Sequence, residues 1–438
     1  MSKKITLQRI LEYIRNKYIF NTTWLFVEKV FRVLYVILIG AMLARYLGPD
    51  SFGLYSYVIS FVGLFIALST LGLDEIVVRE IVQNDKNVEE LLGTAFVLRF
   101  IAAGIVYLMM FIIMLVYTNE IETIKLIYLY ASIILLQSFQ VIDLFFQAMV
   151  KGKSTSISKI ISTIVVSVLI LLLIKLDADL IYFIYALLFE ALVVSALFIY
   201  FYSASNSVLK WRFKYVRAVE LLRICWPLLL SSVIISIYMK IDQLMIKEML
   251  NTRELGYYAA AVKLSEAWYV IPMVICSSLF PAIIISKEKN QKEYHRRLQH
   301  LYRFLVLLAI LLAILVTVYA DNIINMIYGN LFFRSTEVLV VHIWSAIFVF
   351  MGVVTTKYLV VEGLIRNQMY RTILGAVVNV CLNIIFIEKY GIVGAAYATL
   401  LAQFSANFLY DCFDRRLRVS LKIKINSLLP VNLFSVDE

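Results

Sequence analysis

The chain consists mainly of continuous apolar runs of about twenty residues, separated by short polar turns. A run of this length crosses the hydrocarbon core of a bilayer as a helix, because a helix satisfies every backbone hydrogen bond internally. A transmembrane β-barrel would instead show alternating segments of about ten residues, so this class is excluded. With 62% apolar and 16% charged residues, the composition also excludes a large soluble core. The sequence therefore predicts an all-α polytopic membrane protein.

Twelve transmembrane helices are predicted, six in each half of the chain. Those of the first half lie at 22–44, 53–73, 95–117, 125–148, 158–175 and 180–202. Those of the second half lie at 222–247, 256–284, 302–320, 337–361, 370–388 and 391–413. We expect an N-terminal six-helix lobe at 1–205, a cytoplasmic linker at 206–220 and a C-terminal lobe with a basic tail at 221–438. The lobes would be parallel repeats around a central cavity.

One short turn occurs twice, 203 positions apart. "ARYLGPDSFGLYSY" at 44–57 and "KEMLNTRELGYYAA" at 247–260 share the skeleton Leu-x5-Gly-x-Tyr. Each turn joins the first and second predicted span of its half, which places both turns on the same side of the membrane. This agreement of position supports an internal repeat.

The net charge of +11 is distributed in the short connections between spans, which argues against a nucleic-acid partner. If the N-terminus is cytoplasmic, 28 Lys and Arg residues fall on the cytoplasmic side and seven on the other. This bias predicts that both termini are cytoplasmic. Residues 1–20 are basic and amphipathic, as expected of a helix along the membrane surface.

The sequence contains little that suggests catalysis. The four cysteines have no paired spacing, and no Walker-type phosphate loop is present. The external connections are too short for the large functional loop of an O-antigen polymerase or ligase. We expect no catalytic residue, no metal and no cofactor, and the membrane-enzyme alternative is disfavoured.

Three stretches resemble a known family: "LARYLGPDSFGLYSYVISF", "DQLMIKEMLNTRELGYYAAAVKL" and "YGIVGAAYATLLAQ". They are similar to the Wzx-type flippases, in the polysaccharide-transporter branch of the multidrug/oligosaccharidyl-lipid/polysaccharide exporter superfamily. The resemblance implies alternating-access transfer of undecaprenyl-pyrophosphate-linked oligosaccharide units, of O-antigen or a similar surface polysaccharide, to the periplasmic leaflet. It also implies a place in lipopolysaccharide biosynthesis at the bacterial inner membrane, with a polysaccharide polymerase and a chain-length regulator as partners.

Charged residues inside spans are the candidate functional groups, because they are expensive there and usually face a cavity or a partner. The substrate-binding candidates are Lys29, Arg32, Lys240, Asp242 and Lys263. The coupling or gating candidates are Glu28, Asp143, Glu190 and Glu266. Local pairing of Glu28 with Arg32, or of Lys263 with Glu266, is the structural alternative.

Glu190 has no basic neighbour three or four residues away. It is therefore expected either to carry a coupling proton or to pair with Arg32 or Lys29 from another helix. Proton antiport, sodium antiport and transport down the substrate gradient alone all stay open. So does a multidrug exporter of the sister branch, although the spans are not especially rich in carboxylates.

Overall fold

The computed structural model describes residues 2–83, 87–117, 120–204 and 207–428. Of residues 2–19 it describes the backbone only. The helices of the first half are α1 Ser2–Thr70, α2 Asp74–Gln83, α3 Val88–Tyr117, α4 Ile121–Ala131, α5 Ile133–Leu136, α6 Val141–Ala148, α7 Gly152–Lys175 and α8 Leu180–Ser203. Those of the second half are α9 Tyr215–Met249, α10 Thr252–Glu266, α11 Val270–Lys289, α12 Gln291–Val318, α13 Ala320–Ile327, α14 Ser335–His342, α15 Ser345–Val361, α16 Ile365–Phe404, α17 Tyr410–Phe413 and α18 Arg418–Leu428.

Among the described residues, nine helices are long and apolar enough to cross a membrane, or ten if the bent pair α14 and α15 forms one span. Two of the nine are broken at a glycine with positive φ, at Gly48 (69°) and at Gly391 (61°). Glycine adopts this backbone without strain, so two spans can follow each other without a loop. When the bent pair is counted as one span and the halves of the two broken helices are counted separately, the described part contains twelve segments, as predicted. The all-α, multi-pass fold is confirmed.

The chain divides into two compact units that do not coincide with the predicted lobes. The first unit contains Met1–Ile39 and Phe61–Val233, and the second contains Gly40–Ser60 and Ile234–Glu438. The first repeated turn therefore belongs to the second unit, and the boundary near the middle of the chain lies within α9. The lobe limits at 205 and 221 stay a prediction about repeats.

In the first unit, the segment predicted as a linker is docked on the helices that precede it. Trp211 lies 5.5 Å from the Phe96 ring and 5.8 Å from the Tyr202 ring, and its Nε1 donates to Tyr202 Oη at 3.1 Å. Lys214 pairs with Glu90 at 3.3 Å. Aromatic packing and an ion pair thus hold the described part of this connection, which begins at residue 207.

The second unit contains a helix where the sequence predicts a basic tail. Ile423 of helix α18 is buried, and so is Leu417, which directly precedes the helix. Its Lys424 Nζ lies 2.7 Å from Asp411 Oδ2, and both side chains are fully buried. A buried ion pair is tolerated where each charge meets the other directly. Residues 429–438 of the predicted tail are outside the described part.

Also in the second unit, the two repeated turns contact each other through their equivalent glycines. A Cβ on Gly53 would overlap Thr252 O and lie 2.9 Å from Gly256 N. A Cβ on Gly256 would overlap Pro49 O and lie 2.8 Å from Pro49 C. Pro49 and Thr252 are themselves 203 positions apart, as are the two glycines. We call this reciprocal contact the glycine seam, and only residues without a side chain allow it.

Candidate functional site

The first unit contains a polar pocket of about 390 Å³, which we call the Arg32 pocket. Helix α1 contributes Glu28 and Arg32, and helix α8 contributes Glu190. The other polar residues on its walls are Tyr130, Gln137, Gln140, Lys159, Ser162 and Ser195. The pocket therefore brings three of the predicted site residues together on helices that are distant in sequence.

Arg32 and Glu190 form an ion pair in this pocket. The Arg32 side chain is 48% exposed, whereas that of Glu190 is 11% exposed. Arg32 Nη1 also donates to Thr163 Oγ1 at 3.3 Å, and its guanidinium lies 5.4 Å from the centre of the Tyr35 ring. Among the described residues Arg32 pairs with Glu190 and not with Glu28, so the cross-helix alternative is confirmed. The exposed guanidinium keeps donors available to a ligand.

Asp143 is engaged in bonds between α6 and α7. Its Oδ1 accepts from Thr155 Oγ1 at 2.7 Å, and its Oδ2 lies 2.9 Å from Lys159 Nζ. The carboxylate is buried, so these bonds compensate the loss of water. Asp143 thus ties two helices together and reaches the Arg32 pocket only through Lys159.

The formal charge of the Arg32 pocket is balanced. Two carboxylates, Glu28 and Glu190, face two cations, Arg32 and Lys159. The remaining polar walls are amides and hydroxyls, which hydrogen-bond to uncharged polar ligands. Lys29 is exposed and does not line the pocket. The Arg32 pocket therefore contains opposite charges in equal number and is not a cluster of cations.

The second unit contains a much smaller pocket, of about 20 Å³, which we call the Asp242 pocket. Its walls are formed by Tyr238, Met239, Asp242, Glu266, Tyr269, His342, Thr399 and Gln403. Asp242 Oδ1 accepts from the Gln243 N–H at 2.8 Å, and its Oδ2 accepts from Tyr258 Oη. A space of this size holds one water molecule or a small cation.

Of the two candidate lysines of the second unit, Lys263 does not form the local pair with Glu266 that was the structural alternative. Lys263 Nζ lies 4.3 Å from the centre of the Phe52 ring and 5.6 Å from that of Tyr55. This is a cation–π arrangement, and in the described structure Lys263 has no ion pair with Glu266 or Asp242. Lys240 is half-buried and forms no ion pair with any described residue. Neither lysine lines the Asp242 pocket.

Thr399, on the wall of the Asp242 pocket, belongs to a series of contacts between uncharged polar side chains. Tyr258 Oη lies 3.5 Å from Thr399 Oγ1, to which Asn379 Nδ2 donates at 3.4 Å. Asn383 Nδ2 donates to Asn379 Oδ1 at 3.0 Å, and the buried Asn383 Oδ1 has no hydrogen-bond partner among the described residues. Across the described residues, no group of three His, Cys, Asp or Glu could hold a metal ion. Carboxylate, amide and hydroxyl oxygens are nevertheless the ligands that hard cations prefer.

The amides at the two pockets were not among the predicted site residues. The predicted residues are charged, whereas Gln137 and Gln140 on the wall of the Arg32 pocket, and Asn379 and Asn383, which connect to Thr399 of the Asp242 pocket, are uncharged. A usable signal was available, because amides in an apolar span also require partners. Paired spacings such as "QSFQ" and "NVCLN" place two amides together on a helix.

Comparison with known proteins gives the family. A family model described as "Polysaccharide biosynthesis protein" matches residues 19–287, more than half of the chain, and MatE matches residues 227–385. A probable low-salt glycan biosynthesis flippase, Agl15 of Haloferax volcanii, is 24% identical over 192 residues. This match spans 44% of the chain and 40% of that relative.

Solved structures show the same fold. The lipid II flippase MurJ in an inward closed conformation has a TM-score of 0.71 at 16% identity, covering 94% of this chain and 91% of that one. An inward-facing multidrug resistance MATE family transporter of the MOP superfamily has a TM-score of 0.68 at 15% identity, covering 90% and 95%. These matches are to flippases and transporters, in agreement with the prediction that the chain is not an enzyme. The chain has the fold of the MOP superfamily and belongs to the polysaccharide biosynthesis protein family.

Proposed function

We propose that the protein is a Wzx-type flippase that moves undecaprenyl-pyrophosphate-linked oligosaccharide repeat units across the bacterial cytoplasmic membrane by alternating access. The observation that carries the proposal is the Arg32 pocket. It combines a half-exposed guanidinium with amide and hydroxyl walls inside helices long enough to span a bilayer. Membership of the polysaccharide biosynthesis family supports the substrate class.

The physical task explains why such a pocket is needed. Each unpaired polar group of a sugar costs several kcal/mol in hydrocarbon, so the head group needs a polar shelter. The polyprenyl tail has no such requirement and stays in lipid. Arg32 is already paired with Glu190, so an arriving head group finds a preorganised donor and not an isolated buried charge.

The orientation and setting belong to the same proposal. The bias of Lys and Arg toward one set of connections supports cytoplasmic termini in the inner membrane. Transfer would then run from the cytoplasmic leaflet to the periplasmic leaflet, where a polysaccharide polymerase and a chain-length regulator would take over the product. O-antigen or a similar surface polysaccharide is the proposed destination.

Coupling to an ion gradient is proposed through the second unit. The Asp242 pocket has room for one small species, and the oxygen atoms of Asp242, Glu266 and Thr399 on its walls suit a sodium ion. Glu190 is paired with Arg32, which supports a role in binding over a role as a lone proton carrier. Initial transport rates against sodium gradients and pH gradients distinguish sodium antiport, proton antiport and uncoupled transfer.

A multidrug exporter is the second candidate, because MatE matches residues 227–385. Cationic drugs favour a pocket with excess carboxylate, whereas the Arg32 pocket has two residues of each sign. This balance favours a sugar head group.

Deletion of the gene, with a plasmid-borne copy as control, tests the proposal. Extracted lipids should contain single repeat units on undecaprenyl pyrophosphate that probes added outside the cell do not reach. Units that reach the outer leaflet but stay unpolymerised would refute the flippase proposal and return the polymerase alternative. An unchanged surface glycan would instead support drug export.

A further inference from the structure

We propose that Gln137 and Gln140 read the hydroxyl pattern of the sugar head group and set the glycan specificity of the Arg32 pocket. The inference rests on the proposed flippase function and deepens it. Its ligand class is an uncharged sugar ring with adjacent hydroxyl groups. The pyrophosphate is not the ligand of these two amides.

The local backbone places both glutamines on one wall. The polypeptide leaves the α-helical path after α5, and Gln137–Gln140 forms one turn of 3-10 helix before α6 begins. Residues i and i+3 of a 3-10 helix are eclipsed, whereas in an α-helix they are offset around the axis. Gln137 and Gln140 therefore stand one above the other, and both line the pocket.

The helical irregularity is anchored from the opposite helix. Ser195 Oγ on α8 donates to Leu136 O at 3.3 Å, immediately before the 3-10 turn. This bond satisfies a carbonyl group at the point where the regular pattern changes. Since Ser195 also lines the pocket, the amide wall is held in position by the helix that carries Glu190.

Neither glutamine has a structural use for its amide. Within the described structure, Gln137 and Gln140 form no side-chain hydrogen bond, although they lie in an apolar span. Each amide offers two donors and one acceptor. Two stacked amides therefore present complementary groups to neighbouring hydroxyls, each of which both donates and accepts.

The charge and size of the pocket select the same ligand. Its two cations face two carboxylates, so the amides do not lie in a strongly positive field. Its volume of about 390 Å³ is near the lower end of the range for small-ligand pockets, roughly 300–1,000 Å³. The pocket thus holds part of an oligosaccharide head group, with the Tyr130 ring as an additional wall.

The test uses the full-length protein in proteoliposomes with two probes. The first probe is the lipid-linked repeat unit extracted from the deletion strain. The second is the same material after mild periodate treatment, which cleaves the carbon–carbon bond between adjacent hydroxyl-bearing carbons, with the cleavage verified by mass spectrometry. Wild-type protein should transfer the first probe at least tenfold faster than the second.

The decisive variants are Gln137→Met, Gln140→Met and the double variant, which keep side-chain length and remove the amide. The double variant should transfer the untreated probe about tenfold more slowly and lose most of its preference for it. Gln147→Met is the matched control, because Gln147 is an exposed residue on α6 outside the pocket. Monodisperse elution of each variant establishes folding, and the single variants serve if the double variant fails this check.

Each other outcome overturns the inference in an identifiable way. A double variant that keeps the wild-type rate and preference would show that the amides do not read the sugar. A repeat unit with no periodate-sensitive bond would contradict the ligand class while leaving the flippase function intact. Wild-type protein that transfers neither probe would refute the proposed function itself.

Discussion

The Arg32 pocket and the Asp242 pocket contain similar chemical groups but differ in access. Both include a carboxylate on a long apolar helix and a tyrosine close to it. The first has about 390 Å³ and a guanidinium that is 48% exposed, whereas the second has about 20 Å³. A charged residue inside a span therefore does not indicate one particular kind of site. What it does depends on whether the surrounding helices leave space for a ligand.

This difference suggests separate tasks for the two pockets. A pocket with half-exposed charges accepts a hydrated head group by exchanging water for protein contacts. A pocket of about 20 Å³ accepts only a water molecule or a small ion. Variants in the first should therefore change which glycan moves, and variants in the second should change which ion gradient drives it.

The largest effect is expected from Arg32→Ala. The change removes the exposed donors and leaves Glu190 without its partner, so the transfer rate should fall at least tenfold. The measurement is the initial rate of transfer in proteoliposomes at matched protein levels. Lys29→Ala is the control, because Lys29 is a neighbouring exposed cation outside the pocket. Equal losses of transfer rate in both variants would show that a cation in the pocket contributes no more than a cation on the exposed surface of the helix.

Glu190→Gln should lower the rate several-fold, because glutamine still accepts a bond from Arg32 but removes the opposite charge. The same variant separates the two roles of Glu190. A pH–rate profile parallel to that of wild type would leave it a pairing role. A profile that loses its pH dependence would assign the coupling proton to Glu190 and contradict our placement of coupling in the second unit.

Gly256→Ala tests whether the tightness of the second unit depends on the glycine seam. The new methyl group would overlap Pro49 O, and relief of this overlap should destabilise the protein by about 1–3 kcal/mol. Thermal unfolding in detergent measures the loss. Gly104→Ala is the matched control, since a Cβ there meets no atom within 4 Å and alanine favours the helix. If both changes increased the stability of the protein, the tightness of the second unit would not depend on the glycine seam.

Asp242→Asn should change the sodium dependence of transfer by a few-fold while leaving the preference between the untreated and oxidised probes unaltered. The reason is that asparagine keeps an oxygen but loses the charge that balances a cation. Rates at a series of sodium concentrations, at constant ionic strength, provide the measurement. A changed sugar preference with an unchanged sodium response would reverse the tasks of the two pockets.

The smallest effect is expected at Asp414, outside both pockets. Its carboxylate accepts from Arg416 Nη2 at 2.7 Å and from the Arg416 N–H at 2.9 Å, which holds the pKa of Asp414 below its ordinary value of 3.8. The stabilisation is present above pH 4, by about 0.5 kcal/mol, and is lost as the pH falls through the lowered pKa. Asp414→Asn should thus lower the unfolding temperature slightly at pH 7 and less at pH 3. An equal shift at both values would exclude a charge effect.

Much of the fold was predictable because apolar length and the positions of turns are local properties. The break at Gly48 follows from the sequence Gly-Pro, since proline disfavours the helical region for the residue before it. The kind of partner that Glu190 has could be predicted, because a carboxylate without a basic neighbour on its own helix needs a cation from another helix. The docking of Trp211 could not be predicted, since it depends on rings from two distant helices.

The pockets were predictable only in part. Spacing along one helix suggested that Lys263 pairs with Glu266, but the rings of Phe52 and Tyr55 from the first repeated turn approach the ammonium group instead. Side-chain contacts across 200 residues follow from packing and not from periodicity. For the same reason, the role of the two amides of the Arg32 pocket could be inferred only from the 3-10 turn that places one above the other.

The glycine seam has the form of an isologous interface. Pro49 meets Gly256 as Thr252 meets Gly53, and Asp50 lies 3.8 Å from Arg253, its counterpart in the other turn. Reciprocity of this kind defines the contact in a two-fold homodimer, where one surface serves as its own partner. Here both copies of the surface lie on one polypeptide, so the two glycines are encoded separately. The two turns can therefore differ in sequence everywhere except where they touch.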